Sequence, residues 1–161
     1  MEDSALKIPK LRKPVRLWIH PEGAVVGHIF LQERSDYHEG AEDPIEVLNN
    51  DAPFLVMHVT AEDEFRFYNK NSIVRAEFEE EPPPESPGMT VISCRAQLMD
   101  GSLIKGEIRE FLPPNHQRLY DYINILDHRF LRLYTANNQV VLIHKSYIVR
   151  ITPLDEPSSG D

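Results

Sequence analysis

Apolar and polar residues alternate along most of this chain instead of recurring at helical spacing. Alternating or β-branched runs cover residues 15–19, 24–31, 54–60, 91–98, 103–111, 130–135, 140–144 and 147–151. A period of two sends successive side chains to opposite faces, so the pattern predicts strands with one face on a core. Turn chemistry separates the runs: Pro21-Glu22-Gly23 and Asp100-Gly101 sit between alternating segments and predict hairpins. Gly27 and Gly106 fall inside runs, where a missing side chain predicts a bulge or sharp bend that lets a small sheet curl closed. The expected fold class is all-β.

An internal repeat organises these runs. Lys70 followed by Ile73-Val74-Arg75 matches Lys145 followed by Ile148-Val149-Arg150, four identities at an offset of 75 residues. Phe54-Leu55 matches Phe130-Leu131, Leu48-Asn49 matches Ile123-Asn124, and Gly27 with Ile29 matches Gly106 with Ile108; the offset changes only where loops change length. The chain therefore reads as two tandem, five-stranded, partly open β-barrel modules, copy 1 over residues 15–78 and copy 2 over residues 89–154. Closing a small sheet in this way removes edges that invite aggregation. A basic arm precedes them at 1–14, a Pro/Glu-rich stretch at 79–88 predicts a stiff solvated linker, and the tail at 155–161 has the composition of a disordered segment. A module of about 60 residues buries a modest share of its surface, so the copies are expected to lean on each other or on partners.

Charge sharpens the division. Residues 15–76 carry 5 Lys/Arg against 11 Asp/Glu, whereas residues 89–154 carry 8 against 5, within a chain of net charge -9. An acidic whole argues against a general nucleic-acid or membrane binder, because those affinities rest on neutralising phosphates. No apolar run approaches the length of a membrane span, and the first residues carry no signal-peptide pattern; the expected location is the cytoplasm. The single cysteine, Cys94, alternates with Ile92 and Ala96 and reads as a buried, inert thiol.

Copy 2 carries a recognisable pattern: Leu98-Met-Asp100-Gly101 leading to Gly106-Glu-Ile108, then Asp121 and Asn124, then Val141-Leu-Ile-His-Lys145-Ser-Tyr-Ile148. It is similar to Sm-like and SH3-like small β-barrels, and the Arg118 to Asn124 stretch followed by a Phe-Leu strand also resembles bacterial domains of similar size. Asp121 lies three residues before Asn124, Lys145 stands where Arg is usual in the resembled pattern, and Ser146 replaces a Gly; copy 1 departs further, with Glu46 at the Asp position. The resemblance implies a pocket in which Asp121, Asn124 and Lys145 hold a base, with Arg118 and Arg150 on phosphate. The residues by themselves also allow Asn124 and its counterpart Asn49 to satisfy backbone groups where a loop enters a strand.

Other chemistry is sparse. No nucleophile elbow, phosphate-cradling glycine loop or His-Glu-x-x-His is present, so an enzyme, a cofactor and a metal are not expected. The seven histidines lack ligand spacing, and the acidic loop around His38 lacks the alternation of an EF-hand loop. The expected role is a non-enzymatic scaffold or adaptor that binds protein partners or copies of itself. Lys7, Lys10, Arg12 and Lys13 of the arm and Asp36, Glu39, Glu42 and Asp43 of the acidic loop are its candidate contacts. The alternative is an RNA or nucleotide binder using Arg118, Asp121, Asn124, Lys145 and Arg150 of copy 2.

Overall fold

The computed structural model describes residues 10–154, in two compact units that meet in sequence at Ile73 and Val74. Lys7, the rest of the arm before Lys10, and the tail at 155–161 lie outside the described residues. The first unit holds β1 (Lys10–Ile19), β2 (Gly23–Gln32), α1 (Pro44–Asn49), β3 (Phe54–Val59), β4 (Glu64–Asn69) and a 3₁₀ turn at Lys70–Ser72. The second holds β5 (Ile73–Glu79), which begins at the boundary, then β6 (Thr90–Leu98), β7 (Leu103–Glu110), α2 (Leu119–Ile123), β8 (Phe130–Thr135), β9 (Gln139–His144), a 3₁₀ turn at Lys145–Tyr147 and β10 (Ile148–Pro153). All-β architecture follows directly from the alternation, and the pairings given below are antiparallel.

In the first unit β1 and β2 pair along their whole length, from Lys10↔Gln32 to Ile19↔Gly23, and β3 and β4 extend the order to β1-β2-β3-β4. Alternation puts Val15, Leu17, Ile19, Ile29, Leu31, Leu55, Met57 and Val59 on one buried face, closed by Leu48 of α1 and Tyr68 of β4. Burying each such side chain contributes about 1.5–3 kcal/mol. Lys10, Arg12 and Lys13, expected in the basic arm at 1–14, lie in the first four residues of β1.

In the second unit the order is β10-β6-β7-β8-β9-β5. The repeat boundary and the fold boundary therefore differ. Strand β5 closes copy 1 in sequence, yet it pairs with β9 of copy 2, from Arg75↔Ile143 to Glu79↔Gln139. Buried Arg75 fixes the joint further: its guanidinium donates to Glu77 at 3.0 Å and to the Ser102 hydroxyl at 3.3 Å, and lies 3.7 Å from Asp100. The Pro/Glu-rich segment is not solvated throughout. Pro83 accepts from Arg109 Nη1 at 3.0 Å and Glu80 N donates to the Asn138 carbonyl at 2.8 Å, so it lies along this unit. Its prolines leave carbonyl acceptors without competing N–H donors, which suits such attachment.

A bulge or sharp bend is expected at Gly27 and Gly106, and neither position is a bulge in its hairpin. Register runs unbroken through Val15↔Gly27 and through Cys94↔Gly106. A Cβ on Gly27 would stand 2.1 Å from the His58 carbonyl oxygen, and one on Gly106 2.8 Å from that of Tyr134. Hydrogen there lets the following strand's backbone cross at contact distance.

The repeat holds at the level of single hydrogen bonds. His20 N donates to Ser72 O in copy 1 as Met99 N does to Tyr147 O in copy 2, both at 2.9 Å; Lys70 N to Pro53 O matches Lys145 N to Arg129 O. Short helices α1 and α2 occupy equivalent places where alternation alone reads as loop. Strands β4 and β5 likewise fall outside the alternating runs read from the sequence.

Candidate functional site

The 3₁₀ turns at the ends of β4 and β9 position the lysines singled out by the repeat. Asn69 and His144, chemically different residues at equivalent positions, each accept from the backbone N–H two residues on, at 2.8 and 3.0 Å. The capped turn then aims the next side chain inward. Lys70 Nζ donates to Val47 O and Asn50 Oδ1, both at 2.7 Å, and to Asn50 O at 3.3 Å; Lys145 Nζ donates to Ile125 O at 2.6 Å. Ile125 is the repeat equivalent of Asn50, so both lysines satisfy carbonyls left over where a short helix ends. Burial lowers the pKa of Lys145. Asp121 takes a two-point contact from Arg118 at 2.9 and 3.3 Å, which raises the pKa of the exposed Arg118, and Asn124 Nδ2 donates to Tyr120 O at 2.7 Å. Arg150 sits apart from these in β10, paired with Gln97 and exposed. Asn124 and Lys145 thus each donate to a backbone carbonyl of copy 2, and Asp121 pairs with the Arg118 side chain.

Glu46 gathers several contacts of the acidic loop. Glu46 in α1 accepts from Ser35 Oγ at 2.7 Å, from the Asp43 N–H at 3.1 Å and from His38 Nε2 at 2.5 Å. Desolvation opposes ionisation of Glu46, but the three donors outweigh it and lower its pKa. His38 is raised, chiefly by the Glu39 carbonyl and then by Glu46. Among the described residues, His38, Asp43 and Glu46 have metal-like spacing, their ligand atoms within 4.8 Å of one another. Glu46, however, already closes a capping box with Asp43, and Pro44 starts the helix. Glu42 is equally committed, accepting from Gln32 N at 2.8 Å, whereas Asp36 and Glu39 are exposed. The capping box Asp43-Pro-Ile-Glu46 was the signal in the sequence for this helix.

A larger feature was not anticipated from the sequence. The face of the first unit opposite its core carries Phe30, Phe54, Phe65 and Phe67. The Phe65 ring lies 6.0 Å from Phe30 and 5.1 Å from His58, with the Arg12 guanidinium 5.7 Å above Phe30. A shallow depression of about 440 Å³ lies on this side, lined by Lys10, Phe30, Glu42, Phe54 and Phe65 among others. Phe65 and Phe67 are 62% and 73% exposed, whereas their repeat equivalents Val140 and Leu142 in β9 are wholly buried. Pairing accounts for part of the difference. On β9 the partner strand sets Phe78 beside Val140 and Ala76 beside Leu142, while among the described residues no strand pairs with the outer side of β4.

Copy 2 holds a part-buried polar cluster. Glu110 and Arg132 form a two-point ion pair at 2.9–3.2 Å, and Tyr122, whose pKa burial raises, lies 3.5 Å from Glu110. His144 is buried against Phe130 and Tyr147, and burial lowers its pKa to about 4. Cys94 is buried.

Fold and site together define an all-β repeat protein with unequal strand edges. Comparison with protein-family models, curated proteins and solved structures gives no match to this chain. No helix among the described residues is long and apolar enough to cross a membrane.

Proposed function

We propose that this protein is a non-enzymatic scaffold built from two small Sm-like barrel modules, and that it works by taking a partner's strand onto the outer edge of β4. The observation that carries this reading is the exposure of Phe65 and Phe67 on a strand whose outer N–H and C=O groups face no other strand among the described residues. An edge of this kind offers main-chain hydrogen bonds for affinity, and its alternate side chains supply selectivity. The neighbouring aromatics Phe30 and Phe54, with Arg12 and Lys10, make the adjoining face suited to an apolar strand bearing acidic side chains. The nucleic-acid alternative has less to draw on, because Asp121, Asn124 and Lys145 already have partners within copy 2.

A photo-cross-linking residue placed at Phe67, with an identical one at Leu103 as a control on exposed surface of copy 2, tests the reading in the source cell. A defined adduct from position 67, absent from the control, is expected. No adduct at 67, or the same adduct from both positions, would remove the support for β4 as the working edge.

A further inference from the structure

The joint inside this chain specifies what fits its open edge. By the repeat, β4 is the equivalent of β9 and β10 is the equivalent of β5, each at an offset of 75 residues. Strands β9 and β5 pair with each other, whereas among the described residues no strand pairs with the outer side of β4 or of β10. A chain with one such joint keeps one unused half of each kind. We infer that the outer edge of β4 takes β10 of a second copy of this chain, antiparallel and in the register of the internal joint. This rests on β4 being the working edge and names its occupant.

Carrying the internal register across the repeat sets Arg150 opposite Tyr68, Ile151 opposite Phe67, Thr152 opposite Arg66 and Pro153 opposite Phe65. Exposure supports each side. Arg150 in β10 is exposed where Arg75 in β5 is buried, and Phe65 and Phe67 in β4 are exposed where Val140 and Leu142 in β9 are buried. Charge supports it independently. In the internal joint Arg75 reaches Asp100 in the β6–β7 turn; the equivalent turn between β1 and β2 carries Glu22, exposed and already beside Tyr68 and Arg66. Arg150 of the incoming copy therefore meets a carboxylate in the place where Arg75 meets one. The acidic charge of residues 15–76 and the basic charge of residues 89–154 act in the same direction.

Pro153 makes the second joint weaker than the first. Leu154 N donates inward to Ser93 O, so by strand alternation the nitrogen of Pro153 faces the outer side, where it has no hydrogen to give. The joint between copies lacks a rung that Phe78 is free to supply in the internal one, and association is reversible. A head-to-tail contact of this kind closes into a ring or extends as a filament, according to the angle between successive copies.

The test uses the full chain in a Cys94→Ala background. A Phe67→Cys chain mixed with an Ile151→Cys chain is expected to give a disulfide-linked pair on mild oxidation, and a Glu62→Cys chain mixed with Ile151→Cys is not. Light scattering at rising concentration is expected to show mass growing in whole multiples of the chain. Arg150→Glu should weaken assembly, and Glu22→Arg in the same chain should restore it; Pro153→Val should tighten it about three- to tenfold, the value of one regained hydrogen bond. Cross-linking of Phe67→Cys with itself alone would replace the proposal with a two-fold β4–β4 dimer. A monomer at all concentrations, with a Phe67 photo-adduct to a different protein, would overturn self-pairing and leave β4 as the working edge. A monomer with no adduct would overturn both.

Discussion

Lys70→Met is the sharpest probe of the turn shared by both copies. Lys70 is 1% exposed, and its ammonium holds two short hydrogen bonds, to Val47 O and Asn50 Oδ1, and a longer one to Asn50 O. Methionine keeps the unbranched stem and most of its packing, so the change isolates the polar head. Hydrogen bonds to a charged group contribute about 1.5–3 kcal/mol each, and orphaned buried acceptors cost about 1–3 kcal/mol each. The variant no longer bears the cost of desolvating an ammonium on folding, which offsets several kcal/mol of this. The net expected loss is about 3 kcal/mol, a fall in melting temperature of about 6–12 °C for a chain of this length. Lys145 makes a single described bond of this type, to Ile125 O, and is less buried, so Lys145→Met should cost about 1 kcal/mol. Urea unfolding of both variants beside the native chain measures the difference, and amide exchange should show α1 opening first in Lys70→Met. A Lys70→Met loss under about 1 kcal/mol, or a larger loss from Lys145→Met, would refute the helix-end role assigned to these lysines.

Further consequences follow from single contacts. Gly106→Val brings a Cβ to 2.8 Å from the Tyr134 carbonyl, so thermal melting should show a loss of at least about 2 kcal/mol; an unchanged transition would contradict the close crossing. His144, held neutral with a pKa near 4 against 6.5 unfolded, contributes stability that is complete above pH 6.5 and is lost as pH falls from 6.5 through 4, by at most about 3 kcal/mol. His144→Asn places the copy 1 cap in copy 2 and should flatten that dependence in urea titrations repeated at several pH values. Glu46→Gln weakens the hold on His38, so the His38 pKa measured by NMR titration should fall towards 6.5 and the 33–43 loop should be cut faster by protease.

How much was legible in the sequence varied with the range of the interaction. Strand class, the hairpin turns and the repeat are local properties: alternation follows from the two-residue period of a strand, and Lys70 with Ile73 repeats as Lys145 with Ile148 because the same turn must be built twice. Helix α1 was also written locally, in Asp43, Pro44 and Glu46, although alternation draws attention away from it. Lys145 and Asn124 were legible as important, but their roles depended on which carbonyls the fold would bring to them. The same types of residue serve a ligand or a helix end equally well, and only their partners differ.

Pairing between distant strands is what the sequence left undecided. Nothing local around Phe65 and Phe67 records that no strand among the described residues pairs with the outer side of β4 while its equivalent β9 is covered by β5. Nor does the stretch after Lys70 state that β5 departs from the copy that encodes it. By itself the sequence determined most of the strands, their turns and their twofold repetition, because strands and turns rest on residues within one or two positions and the repeat on comparing such short stretches. The tertiary structure decided which edges meet, because backbone hydrogen bonds are alike in every strand and the choice among partners falls to packing over the whole chain.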